Sequence, residues 1–117
     1  MLIDNREEIL SILRGITPNT FHCDVDDYKN NKYPKAVYFL KDNYDVDYRD
    51  GEPYANIGEY IVQVYEKTVN GKLVEIHKEV LQAMKEAGYQ KVFFDYMRDT
   101  EENLHLYTFR FKKYNLY

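Results

Sequence analysis

The 117-residue chain carries 16 Lys and Arg against 20 Asp and Glu, a formal charge of −4, with 44% hydrophobic and 31% charged residues. That balance is globular, and the acidic surplus excludes tight sequence-independent binding of nucleic acid, which draws its affinity from Lys and Arg neutralising phosphates. No apolar run approaches the roughly 20 residues that a bilayer crossing needs, which argues against membrane contact. The single cysteine, Cys23, has no internal disulfide partner. The N terminus passes directly into Asp4, Arg6, Glu7 and Glu8 rather than into an apolar signal segment, so synthesis in a reducing cytoplasm is expected. Length and composition predict one domain over residues 1–117 that folds without metal, cofactor or disulfide. Thirteen Tyr and six Phe against no Trp make protein contact the first use to consider, because Tyr supplies broad amphipathic area at low entropic cost.

In chain order, Asp4 followed by Glu7 resembles a capping box, and Ile9, Leu10 and Leu13 make an apolar side before Gly15, predicting a helix over residues 3–14. Residues 17–33 are rich in Asp, Asn and Pro and read as connection, with a short strand over residues 20–25. Residues 35–41 and 54–68 are β-type runs, the second alternating Tyr60, Val62 and Val64 against Ile61, Gln63 and Tyr65. Between them, residues 42–53 are acidic and punctuated by Gly51 and Pro53, predicting a protruding hairpin or arm. A second helix is predicted from an Asn70 cap, with Leu73, Ile76, Val80, Met84 and Ala87 at helical spacing and Gly88 as the stop. Two further strands, residues 91–97 and 104–113, flank a polar turn over residues 98–103. The expected class is therefore α+β: a mainly antiparallel sheet with two helices packed on it, in the order α-β-β-α-β-β with an extra short strand early.

Chemistry-bearing patterns are few. His22, Cys23 and Asp24 are consecutive, so on a strand they point to alternate faces, and no paired Cys or His spacing for a metal occurs. Placing Gly51 at the sixth position of a calcium loop puts Val46 and Tyr48 where carboxylates belong. The only serine, Ser11, falls within the first predicted helix and lacks a Gly-x-Ser-x-Gly turn, and no Gly-rich phosphate loop is present. No pattern selects catalytic, cofactor-binding or metal residues. His22, Cys23, His77 and His105 are each expected to be replaceable. Phe93, Phe94, Tyr107, Phe109 and Phe111 are expected to form the sheet core and its margins rather than a base-stacking face.

The chain combines a short N-terminal helix, Tyr33-Pro34 opening a strand, the polar arm of residues 42–53, and Tyr60-Ile61-Val62-Gln63-Val64-Tyr65. It continues through a helix ending in Ala87-Gly88-Tyr89 and an acidic turn to Leu106-Tyr107-Thr108-Phe109-Arg110-Phe111. Together these segments resemble the tail-completion or tail-terminator proteins of long-tailed bacteriophages and prophages. The resemblance implies a structural virion protein, not an enzyme, that forms a hexameric ring at the head-proximal end of the tail tube. It would end the tail, join it to the head through the tube and connector proteins, and reside in the virion. Genome DNA would pass through the lumen without specific binding. Charge segregation adds interface candidates: Asp45, Asp47, Arg49, Asp50 and Glu52 on the arm, and Arg110, Lys112 and Lys113 on the last strand. Rival readings are a small regulatory protein acting on a host partner, and a small enzyme with a pocket of His and carboxylates.

Overall fold

The computed structural model describes residues 2–24, 26–27, 29–30 and 32–117. Its elements are α1 (Arg6–Arg14), β1 (Thr20–His22), β2 (Lys35–Arg49), β3 (Glu52–Val69), β4 (Lys72–Leu73), α2 (His77–Glu86), β5 (Gln90–Asp99) and β6 (Leu104–Leu116). The strands form one six-stranded sheet in the order β1-β2-β3-β6-β5, with β4 attached to β3. Every pairing is antiparallel except that of β1 with β2, so the sheet is mixed. The α+β class holds, while the order is α-β-β-β-β-α-β-β, with two strands more than the α-β-β-α-β-β skeleton. The early one is the expected short strand, which ends at His22; Val25, its predicted end, lies outside the described residues.

The other addition corrects the predicted helix start. Asn70 and Gly71 both have positive φ, 53° and 76°, and turn β3 back into β4. Asn-Gly is the residue pair that a two-residue hairpin turn prefers, because both positions tolerate the left-handed region, and here that outcompetes helix capping. Leu73 therefore lies on β4 and is exposed, and α2 starts at His77 with Ile76 as its N-cap residue. At the other end the prediction is close. Tyr89 N–H donates to Met84 O and Gly88 N–H to Lys85 O, which is the Schellman arrangement that ends a helix.

Residues 42–53 are not an appendage to the sheet but its continuation. The β2–β3 ladder runs to Arg49 opposite Glu52, with a register shift between Leu40 and Asp42 and a local break at Asp47, whose φ is 55°, and turns at Asp50 and Gly51, whose φ values are 51° and 79°. The last strand follows: Tyr114, Asn115 and Leu116 pair with Ile57, Asn56 and Ala55. This three-stranded arm helps stretch the molecule to 60 × 24 × 22 Å.

Strand register sorts the side chains onto two faces. One face carries the rows Ala36, Val64, Tyr107, Tyr96 and Tyr38, Val62, Phe109, Phe94, together with Leu40, Tyr60 and Phe111. Ile9 and Leu13 of α1 and Val80 and Met84 of α2 join these residues in a single core cluster, so both helices cover the same face. Tyr60 lies over Gly58, where an added Cβ would stand 2.6 Å from its hydroxyl. That hydroxyl accepts the Asn5 N–H at 2.8 Å, so the glycine makes room for the contact that seats the start of α1. The opposite face carries Val37, Gln63, Thr108, Asp95 in one row and Phe39, Ile61, Arg110, Phe93 in the next, with no helix on it. Neither helix is long and apolar enough to cross a membrane.

Candidate assembly surface

Strand β5 carries an apolar stretch, Val92-Phe93-Phe94 with Tyr96 and Met97, in the surroundings of an edge. Its ten residues QKVFFDYMRD are exposed at every position. Phe93 and Met97, on the helix-free face, are 50% and 63% exposed, and Phe94 and Tyr96, on the helix side, are 46% and 43% exposed. Of the aromatics expected in the core and its margins, Phe109 and Phe111 are buried, Tyr107 packs at the core's edge and half-exposed Phe94 stacks against Phe109 and Tyr107, whereas Phe93 stands half exposed on the helix-free face. Edge strands of monomers are commonly blunted by charge, Pro or bulges, because unpaired N–H and C=O groups beside apolar side chains recruit another strand. Here the blunting is a register shift between Lys91 and Phe93, one carboxylate, Asp95, within the apolar run, and Lys91, Arg98 and Asp99 at its two ends, which leaves Val92, Phe93, Phe94, Tyr96 and Met97 exposed between them.

Sequence composition alone could not place this surface. The same residues in the middle of a sheet would be core. What exposes them is topology, since β6 inserts between β3 and β5 and leaves β5 last in order.

The arm residues divide into groups satisfied within the chain and groups that face outward. Asp45 accepts a hydrogen bond from the Tyr117 hydroxyl, and Asp47 one from the Tyr114 hydroxyl. Lost solvation and the bond to Asp45 push the Tyr117 hydroxyl up to about 12. Arg49 lies over the Tyr54 ring at 4.6 Å. Asp50 sits in the tip turn and Glu52 opens β3, both exposed. A groove of about 370 Å³ at the tip is lined by Asp47, Tyr48, Arg49, Tyr54, Tyr114 and Leu116.

The basic candidates on β6 have separate roles. Arg110 Nε and Nη2 both donate to Glu59 Oε1, at 3.2 and 2.9 Å, across the β3–β6 pair. Lys113 Nζ donates to Glu8 Oε1 at 2.7 Å and to Ala87 O at 2.9 Å, tying β6 to both helices. Burial pushes the Glu8 carboxyl up, but bonds from Lys113 and the Tyr89 hydroxyl outweigh it and leave Glu8 below its usual value. Lys112 makes no ion pair among the described residues. The structure therefore brings Asp45, Asp47, Arg49, Asp50 and Glu52 together at the arm, while Arg110 and Lys113 hold the body and half-buried Lys112 is the basic candidate without an ion pair among the described residues.

The histidines and the cysteine are spread across the molecule. His22 Nδ1 accepts the Asp24 N–H at 3.1 Å, and Cys23 N–H donates to Tyr38 O at 3.0 Å. His105 Nδ1 and the Tyr96 hydroxyl are 2.7 Å apart. His77 stacks on Tyr107 with ring centroids 3.8 Å apart, and its Nδ1 lies 2.8 Å from Glu66 Oε2. Sequence reasoning passed over Glu66. It is 1% exposed and also accepts the N–H groups of Ile76 and His77, so the pair caps α2. Among the described residues no three His, Cys, Asp or Glu side chains gather to hold a metal ion. Alanine at His22, Cys23 or His105 is expected to leave assembly intact, read by particle mass in solution, because none of the three belongs to the core cluster. No family model matches the chain, and no curated protein matches it.

Proposed function

We propose that the protein is a structural virion subunit that works by assembling with copies of itself, as a ring at the head-proximal end of a phage tail tube that ends the tail and joins it to the head. The observation that carries this reading is β5, an exposed ten-residue edge strand with apolar side chains on both faces. A protein that acted alone would leave this surface as an aggregation hazard, whereas a subunit covers it on assembly. The elongated outline and the tyrosine-rich arm suit a piece that reaches across to neighbours. The formal charge of −4 suits a lumen through which DNA slides without adhering. The tube protein and the head connector are the partners of the two ring faces.

Size-exclusion chromatography with light scattering tests the assembly itself. A mass about six times the 14.1 kDa of one chain is expected, and a monomer at high concentration would refute self-assembly. A monomer that captured a host protein would place the chain in the rival class of host-directed binding proteins. The arm gives a second test. Changing Asp45, Asp47 and Asp50 together to Lys is expected to leave a folded subunit, since these positions lie on the arm away from the core cluster. In phage complementation that variant should leave unjoined heads and tails by electron microscopy, because like charges then recur at every repeated contact. Normal virion yield would remove the arm from the interface.

A further inference from the structure

The sheet has two open edges, and they lie on opposite sides of it. One is β5, which among the described residues pairs only with β6. The other is the outer side of β2, which β1 covers only at Ala36, Val37 and Tyr38. Beyond these, residues 40–49 have β3 on one side and no strand on the other among the described residues. Strand direction alternates across β2, β3, β6 and β5, so β2 and β5 run in opposite senses. A second copy set alongside without being turned over therefore brings its β5 antiparallel to the first copy's β2, and the alternation continues across the junction. Two copies joined β5 to β5 would instead leave both arm edges bare.

We infer that successive copies of this chain join head to tail by pairing the β5 edge of one copy with the arm edge of β2 in the next. This rests on the assembly reading above and specifies its contact. The side chains select a register. Antiparallel pairing that sets Arg98 opposite Asp45 also sets Met97 opposite Val46 and Phe94 opposite Arg49. Arg98 and Asp45 both lie on the helix side of their strands, Arg98 through its partner His105 and Asp45 through Asn56. Met97 and Val46 both lie on the helix-free face, through Leu106 and Ala55. One alignment thus matches a cation with an anion and an apolar side chain with an apolar one, each on a common face, and sets an aromatic ring opposite a guanidinium. It engages residues 94–99 with residues 44–49, well beyond the stretch that β1 occupies. Because the joined surfaces differ, the contact repeats, and it closes a ring when the rotation per copy permits.

The contact predicts a mixing experiment. One variant carries Met97→Glu with Arg98→Glu on β5; the other carries Asp45→Lys with Val46→Lys on the arm. Each alone opposes like charges at every junction, and each is expected to run as a 14.1 kDa monomer with a wild-type circular dichroism spectrum. Mixed one to one, every junction is either native or reversed with opposite charges facing, and the wild-type mass is expected to return. If the wild-type chain is itself monomeric, the assembly reading falls and this contact with it. If the wild type is oligomeric and the variants remain so, or their mixture stays monomeric, the edge pairing is overturned while assembly through another surface stands.

Discussion

Val80→Asp is expected to unfold the protein. Val80 is fully buried near the middle of α2, in the cluster that joins Met84 and Ile76 to Ile9 and Leu13 of α1 and to Phe109 and Phe111 of the sheet. A carboxylate there leaves water without a cation or donor set to receive it, and an uncompensated buried charge costs several kcal/mol after relaxation. Stabilities of ordinary domains are about 5–15 kcal/mol, so this one change removes a large part of the total or all of it. The nearby control is Lys78→Ala, at an exposed position of the same helix, which should stay within about 0.5 kcal/mol of wild type. Thermal melts of the three proteins followed by circular dichroism decide the matter. A wild-type melting temperature for Val80→Asp would mean that α2 does not face the sheet.

That the helix packs by Val80 and Met84 was legible from helical spacing, because those positions depend only on a period and a partner face. Its start was not, because Asn70-Gly71 satisfies two rules at once: Asn caps helices, and Asn-Gly turns hairpins. What decides between them is Lys72 and Leu73 pairing with Val69 and Thr68, a contact with the preceding strand. The arm had a local signal that its acidity obscured. Tyr44, Val46 and Tyr48 alternate with Asp45 and Asp47, the period of a strand, so β2 continues to Arg49. The exposure of β5 had no local signal. Phe93 and Phe94 sit on the edge only because the last strand returns to the middle of the sheet, and strand order is a global property. For the same reason Lys113 was not recognisable as a body contact, since its partners Glu8 and Ala87 are remote in sequence.

Glu66→Ala is expected to destabilise the protein nearly as severely as a charge in the core, although it removes a charge. Strand β3 delivers this carboxylate beneath the N terminus of α2, where Oε2 accepts the Ile76 N–H at 2.7 Å and the His77 N–H at 2.8 Å, with His77 Nδ1 2.8 Å away. Ile76, the N-cap residue, has no side chain able to cap, so Glu66 is the cap, supplied from another element. A negative charge there also meets the positive end of the helix dipole. Truncation to Ala leaves backbone donors and an imidazole without their acceptor in a site that Glu66 shares with buried Ile76. Removing one partner of such a buried arrangement costs about 3–5 kcal/mol. Glu66→Gln keeps an acceptor oxygen of the same reach but loses the charge, so its loss should fall between those of wild type and Ala. His77→Ala removes one of the partners and the stack on Tyr107, and a double-mutant cycle with Glu66→Ala should be clearly non-additive, as expected for side chains in one network. Urea denaturation of wild type, the three single variants and the Ala–Ala double variant measures all of these terms. An unchanged midpoint for Glu66→Ala would show that water replaces the carboxylate at the head of α2 without loss, and that the helix is held by its apolar face alone.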